Sequence, residues 1–123
     1  MDKKIIPDFD RNKKIQIGII GTTTWATTLG LLFAKKGHTV ILWARNKIEA
    51  EALSSNNENI RFLPGIKFPS NMYVTNSVVS AVSTADITIF AVPSFTMKKN
   101  TTLIKNHLNP DTIIISASKG LDP

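Results

Sequence analysis

The feature that most constrains the fold is a short apolar run that ends in a glycine and passes directly into a helical pattern. Residues 14–20 read Lys-Ile-Gln-Ile-Gly-Ile-Ile, a run that begins with alternation and ends fully apolar, as a buried parallel strand does. Gly21 ends this run, and residues 22–24 are three threonines whose hydroxyls can cap a helix. Residues 25–36 have helical spacing and stop at Gly37. The segment therefore predicts a strand, a tight turn and a helix.

The rest of the chain repeats this alternation of strands and helices. We predict four more strands, at residues 39–43, 72–75, 86–92 and 112–117. We predict three further helices, at 47–54 with Asn46 as its cap, at 77–83, and at 94–108 with Ser94 as its cap. This alternation favours a parallel sheet with helices on both faces. The expected fold class is α/β, a Rossmann-like doubly wound parallel sheet in three α/β/α layers, which binds ligands at the carboxyl ends of its strands.

The length of 123 residues suits one domain. We expect residues 1–13, which are polar and include Pro7, to form a flexible N-terminal lead-in. The domain itself is expected to span residues 14–123. Residues 56–71 are predicted to form a long connection with strong turn signals, because they include the sequence Phe-Leu-Pro-Gly.

Composition argues against several classes of site. The chain has no cysteine, which excludes disulfides and thiolate metal sites, and two separated histidines, His38 and His107, predict no metal centre. The net charge of +6 is not arranged in a stripe interleaved with aromatics, so we expect no nucleic-acid partner. No apolar run is long enough to span a membrane, and the N-terminus lacks the apolar middle of a signal peptide. We therefore expect a cytoplasmic location.

The turn after the first strand occupies the place of a dinucleotide fingerprint, Gly-x-Gly-x-x-Gly, but keeps only its first glycine, Gly21. Ala26 replaces the third glycine, which helix–strand packing tolerates. Thr23 replaces the second, which normally lets the backbone approach a pyrophosphate. Its side chain either pushes the phosphates outward or binds them through its hydroxyl. An unliganded strand–turn–helix is the plainer interpretation, although amides at a helix start favour an anion.

The end of the second strand bears on the choice of cofactor. Enzymes that use NAD usually place an acidic residue there for the ribose hydroxyls, whereas this chain has Arg45. A guanidinium suits a 2′-phosphate, so Arg45 modestly favours NADPH over NADH. A solvated loop arginine is the alternative interpretation.

Several blocks together resemble the NAD(P)-dependent glycerol-3-phosphate dehydrogenases, across roughly residues 14–122. They are Gly21-Thr-Thr-Thr-Trp25-Ala-Thr-Thr-Leu, Gly37-His-Thr-Val-Ile-Leu-Trp43, Glu58-Asn-Ile-Arg-Phe-Leu-Pro-Gly-Ile66, Ala85-Asp-Ile-Thr-Ile-Phe-Ala-Val-Pro-Ser94 and Ser118-Lys-Gly-Leu121. The block with Phe-Leu-Pro-Gly is the most specific, because a generic Rossmann domain does not require it. The resemblance implies hydride transfer between glycerol 3-phosphate and dihydroxyacetone phosphate, with an NAD(P) cofactor.

The resemblance also implies roles for particular residues. The implied contacts are Thr24 and Trp25 to the cofactor phosphates, Arg45 and Asn46 to the adenine-ribose end, Phe62 near the cofactor, Pro93 and Ser94 in the cleft, and Lys119 beside substrate and nicotinamide. With Gly21, Thr23 and Ala26 they make up the expected cofactor site, and Lys119 is the expected contact to glycerol 3-phosphate. Each has a plainer interpretation: Trp25 and Phe62 as core or cover, Ser94 as a helix cap, and Lys119 as a surface lysine.

In the family, a helical second domain supplies the general acid/base lysine and most of the substrate pocket. We expect this chain to lack that domain, to hold no catalytic residue and to be inactive alone, since one wall of a cleft cannot hold both reactants. The apolar surface near the last strand would then be open, which favours a homodimer. Two other hypotheses stay open at this point: a non-catalytic nucleotide-binding or regulatory module derived from this fold, and a hydroxyacid or ketopantoate type of dehydrogenase.

Overall fold

A computed structural model describes residues 13–117 of the chain. Within that range it contains a five-stranded sheet in the order β3-β2-β1-β4-β5, and all of its pairings are parallel. The strands are β1 (Gln16–Ile20), β2 (Thr39–Trp43), β3 (Met72–Thr75), β4 (Ile87–Phe90) and β5 (Ile113–Ser116). The helices are α1 (Thr24–Lys35), α2 (Lys47–Asn56), α3 (Val78–Val82) and α4 (Met97–Ile104). The predicted Rossmann-like α/β fold is confirmed.

Alternation along β1 and β2 divides the core into two layers. Ile17 and Ile19 face one side of the sheet, where they pack with buried residues of α1 and α2. Ile20 and Trp43 face the other side, where they pack with buried residues of α3 and α4. A strand that is apolar on both faces must be covered on both faces, and this requirement produces the three layers.

Local signals account for where three of the four α-helices among residues 13–117 begin and where α1 ends. The Thr23 hydroxyl accepts a hydrogen bond from the Ala26 amide at the start of α1, and Asn46 accepts one from the Glu49 amide at the start of α2. Ser77 caps α3 in the same way. Helix α1 ends just before Gly37, which has a φ of +95°, a backbone conformation that favours glycine. The predicted caps of the first two helices are therefore confirmed.

The segment after β4 differs from the prediction of one helix capped by Ser94. A 3₁₀ turn covers Ser94–Thr96, α4 follows, and a second 3₁₀ turn covers Lys105–His107. Ser94 lies inside the first turn, and Pro93 at the cap position offers no side-chain cap bond, so the predicted cap is wrong. The α-helix itself is short, and it contains Asn100 and two threonines, residue types of low helix propensity.

Three strands are shorter than predicted. β1, β4 and β5 begin one or two residues later than expected, and β4 and β5 also end earlier. The apolar residues just beyond β4, Ala91 and Val92, stay buried although they lie outside the strand. An apolar run in the sequence indicates which residues are buried, not which residues form the hydrogen bonds of the sheet. The apolar run therefore extends beyond the end of the strand.

The predicted lead-in, apart from Lys13, and Lys119 lie outside the described residues. No helix in the described part of the chain is long and apolar enough to cross a membrane.

Candidate functional site

The carboxyl ends of β1 and β4 meet at a turn that requires glycine. Gly21 has a φ of +133°, a conformation that residues with side chains rarely adopt. A Cβ built at this position would lie 2.5 Å from the carbonyl oxygen of Ala91, just after β4. The Gly21 amide also donates to the Trp43 carbonyl at the end of β2, over 3.2 Å. Gly21 therefore lets the turn lie directly against the ends of the neighbouring strands.

Thr23 occupies the place of the fingerprint's second glycine and serves as the cap of α1. Its hydroxyl lies 3.4 Å from the Ala26 amide, and its carbonyl accepts from the Thr27 amide over 2.9 Å. The hydroxyl therefore already has a partner on its own helix. Ala26, which replaces the third glycine, is fully buried in the core beside β1 and β4. Its position explains why a small residue is needed there.

The connection between α2 and β3 is folded back on itself by Glu58. The Glu58 carboxylate accepts from the Gly65 amide over 2.8 Å and lies 3.2 Å from the Lys67 ammonium. The Gly65 hydrogen bond, followed by the Lys67 interaction, lowers the pKa of the Glu58 carboxyl below its ordinary value of 4.5. Gly65 itself has a φ of +89°. The Glu-Asn-Ile-Arg-Phe-Leu-Pro-Gly block thus encodes a closed loop, with its acid at one end and its glycine at the other.

Asn59 ties this loop to the turn at Gly21. Its side-chain amide donates to the Thr22 carbonyl and to the Thr27 hydroxyl, each over 2.8 Å, and its oxygen accepts from the Phe62 amide over 3.2 Å. Asn59 is only 2% exposed. A further bond of 3.0 Å runs from the Thr24 hydroxyl to the Phe62 carbonyl. The loop is therefore fastened along the turn and the first residues of α1.

Sequence reasoning did not single out Asn59 as a residue of the site. Its signal was its place in the most specific block, directly after Glu58. Ordinarily a polar residue in a loop is solvated, so its burial was not evident from the sequence.

Trp25 connects the start of α1 to the far side of the site. Its indole N–H donates to the carbonyl of Ala117, just after β5, over 2.6 Å. The side chain remains partly exposed, at 37%. Trp25 is thus a cover above the sheet edge rather than a core residue.

Two cavities flank Phe62. The smaller, of about 380 Å³, lies over the ends of β1 and β4. It is lined by Thr23, Thr24, Trp25, Thr28, Phe62, Ala91, Val92 and Pro93. The larger, of about 520 Å³, lies between α2 and the loop. It is lined by Thr22, Asn46, Ile48, Glu49, Ala52, Leu53, Asn56, Glu58, Asn59, Ile60, Arg61 and Phe62. The structure therefore brings together most of the residues proposed from the sequence, around two cavities that share Phe62.

Some proposed residues lie apart from these walls. Arg45 is exposed after β2 and, like Ser94, lines neither of the two cavities. Asn46 lines the larger cavity while it caps α2. His38 lies at the amino edge of the sheet, where its Nδ1 accepts from the Ile15 amide over 3.3 Å. This histidine is therefore remote from the two cavities.

Comparison with known proteins identifies the family. The family model described as NAD-dependent glycerol-3-phosphate dehydrogenase N-terminus matches residues 16–123. The chain belongs to this family. It is 38% identical over 108 residues to a glycerol-3-phosphate dehydrogenase [NAD(P)+] of Chlorobium phaeobacteroides, with 88% of this chain and 32% of that protein covered. A relative of the same name in Dehalococcoides mccartyi is 44% identical over 108 residues, with 87% and 30% covered.

A solved structure shows the same relationship. The crystal structure of glycerol-3-phosphate dehydrogenase from Coxiella burnetii superposes with a TM-score of 0.83 at 29% identity, covering 88% of this chain and 33% of that one. The chain spans about a third of the length of the relatives it matches. It corresponds to the N-terminal NAD-binding domain of a glycerol-3-phosphate dehydrogenase, and the hypothesis of a hydroxyacid or ketopantoate dehydrogenase is wrong.

Proposed function

We propose that this glycerol-3-phosphate dehydrogenase domain binds NAD(P)H along the carboxyl edge of its sheet, with the pyrophosphate at the start of α1. The observation that carries the proposal is the turn at Gly21, where a Cβ would collide with the Ala91 carbonyl. The free amides that follow Gly21, at the positive end of a helix of twelve residues, suit an anion in contact with the backbone. Two cavities that share Phe62 leave room for the two nucleotide halves.

The side chains around the cleft support particular roles. Thr24 and Trp25 would contact the phosphates, and Phe62 and Pro93 would flank the cofactor. Bound NAD(P)H supplies the hydride for reduction of a carbonyl at C2 of a phosphorylated three-carbon substrate. Lys119, which the family resemblance implicates, would bind the phosphorylated substrate, since a cation attracts its phosphate.

We propose that the described residues bind the cofactor and perform no proton transfer. The carboxylates that line the two cavities are already engaged: Glu49 accepts from the Thr22 hydroxyl, and Glu58 accepts from the Gly65 amide and pairs with Lys67. His38 lies at the opposite edge. The chain is accordingly expected to show no oxidation of glycerol 3-phosphate alone, and turnover that survives purification from contaminating enzyme would contradict this.

Calorimetric titration of the whole chain with NADH and NADPH tests cofactor binding. Saturable binding of either one, weakened by Phe62→Ala, is the expected result. Absence of binding would favour the alternative of a module derived from this fold that has lost its cofactor. Thr23→Gly adds a second comparison: tighter binding would show that the Thr23 side chain crowds the pyrophosphate, and weaker binding would show that its hydroxyl contributes.

We propose a preference for NADPH through the positive charge of Arg45 after β2. Arg45→Asp should remove the preference, and added salt should reduce it because an exposed charge is screened. Equal affinity of the unmodified chain for NADH and NADPH would contradict this proposal. The cytoplasmic location stays a prediction.

We also propose that the domain forms a homodimer through β5. Ile113, Ile114 and Ile115 are 61%, 55% and 41% exposed, and β5 pairs on one side only within residues 13–117. An exposed apolar edge strand is a template for pairing with a second chain. Sedimentation should show a dimer that Ile114→Lys dissociates, and a strict monomer at high concentration would contradict the proposal.

A further inference from the structure

The larger cavity is lined by a positively charged side chain to which the family resemblance assigned no role. Arg61 lines its wall, and the guanidinium carbon lies 4.8 Å from the centre of the Phe62 ring. Stacking of this kind orients a planar guanidinium and leaves its edge available for hydrogen bonds. The backbone that carries the ring is held in turn, because the Phe62 carbonyl accepts from the Thr24 hydroxyl and the Phe62 amide donates to Asn59. Arg61 is therefore supported by the same loop that is tied to the turn at Gly21.

The charge of Arg61 has no carboxylate partner among residues 13–117. The ion pairs described there join Lys47 to Glu51 and Lys67 to Glu58. Glu58, which lines the same cavity as Arg61, is thus paired with another cation. A stacked guanidinium at the wall of a cavity, with no carboxylate partner among residues 13–117, suits a phosphate group.

The position of the cavity points to the phosphates of a dinucleotide. Its wall includes Thr22, next to Thr23 of the neighbouring cavity, and both cavities share Phe62. A ligand whose halves are joined by a pyrophosphate and which occupies both cavities would come close to the shared residue Phe62, on which Arg61 stacks.

We propose that Arg61 is a phosphate-binding residue of the cofactor site, acting from the cavity between α2 and the loop. This inference rests on the proposed binding of NAD(P)H. The Arg61 guanidinium donates to a phosphate of the dinucleotide, either the pyrophosphate or the 2′-phosphate. Arg45 differs because it lines neither cavity.

The test compares Arg61→Gln with the unmodified chain by calorimetry, using NADH, NADPH, 5′-AMP, ADP and 2′,5′-ADP. We expect Arg61→Gln to weaken binding of the affected ligands about tenfold, the loss expected for a charged hydrogen bond to phosphate. Arg61→Lys should recover part of the loss. Lys35→Gln is the matched control: it removes the same charge from an exposed residue in the last turn of α1, at the opposite edge. It should change affinity less than about twofold because of screening.

The set of ligands identifies the phosphate. A loss confined to NADPH and 2′,5′-ADP supports contact with the 2′-phosphate, whereas a common loss for NADH, NADPH and ADP supports contact with the pyrophosphate. Unchanged affinity of Arg61→Gln for all five ligands, with binding intact in the unmodified chain, overturns the role of Arg61 alone. If the unmodified chain binds neither NADH nor NADPH, the proposed function fails and the inference fails with it.

Discussion

Replacement of Asn59 by alanine tests whether the loop holds the cofactor turn in place. The substitution removes both donors, to the Thr22 carbonyl and the Thr27 hydroxyl, and the acceptor for the Phe62 amide. We expect the protein to lose stability and to bind NAD(P)H more weakly, because the Phe62 backbone is then fastened mainly by its bond from Thr24.

The expected loss of stability follows from the number of hydrogen bonds that the substitution removes and from the hydrogen bonds that remain. Each hydrogen bond contributes about 1 kcal/mol net, so the loss of three destabilises by roughly 3 kcal/mol. The Thr22 carbonyl still accepts a hydrogen bond from the Thr27 hydroxyl over 3.4 Å, so it does not lose all of its partners. We therefore expect roughly 2–3 kcal/mol and a thermal midpoint about 10 °C lower. Binding should weaken about threefold to tenfold, because the ligand must then order the loop.

The assay pairs thermal or urea unfolding with calorimetric titration of NADPH, at a temperature where the variant is fully folded. Asn71→Ala is the matched control. The Asn71 amide donates to the Ala34 and His38 carbonyls over 2.7 and 2.9 Å, at the opposite edge of the sheet. We expect the control to lose comparable stability without a change in cofactor affinity.

Two results would refute the reasoning about Asn59. Unaltered cofactor affinity in folded Asn59→Ala would show that the loop does not shape the binding turn. An equal loss of affinity in Asn71→Ala would show that binding follows general stability rather than the fastening of the loop.

Three further predictions concern other parts of the site. Gly21→Ala should abolish cofactor binding and lower stability by at least about 2 kcal/mol, since it forces a strained φ and a clash with the Ala91 carbonyl; tight binding by a folded variant would contradict the close approach. Trp25→Phe should cost about 1 kcal/mol in urea unfolding through loss of the bond to the Ala117 carbonyl, and an unchanged midpoint would argue against that bond. The ionised Glu58 carboxylate stabilises the folded state above its ordinary pKa of 4.5, and this contribution disappears as the pH falls through the lower folded-state pKa. The stability difference between the unmodified chain and Glu58→Gln should therefore shrink in acid, and a difference independent of pH would exclude the ionised carboxylate as its source.

The sequence by itself determined the elements whose signals are local. The bounds of β2 and β3 are those predicted, because a short apolar run between turn residues defines a strand. Thr23 and Asn46 cap their helices through bonds that span three residues. The order of strands and helices then requires a parallel sheet, and its carboxyl edge was predicted as the place for ligands.

Only the tertiary structure decided how that edge is closed. The bond from Asn59 to the Thr22 carbonyl joins positions 37 residues apart, and the bond from Trp25 to the Ala117 carbonyl joins positions 92 residues apart. The sequence marked Trp25 and Phe62 as candidates but did not reveal that Asn59 is buried or that Arg61 stacks on Phe62. Caps and strands depend on neighbours along the chain, whereas these contacts exist only after the sheet has brought distant segments to one edge.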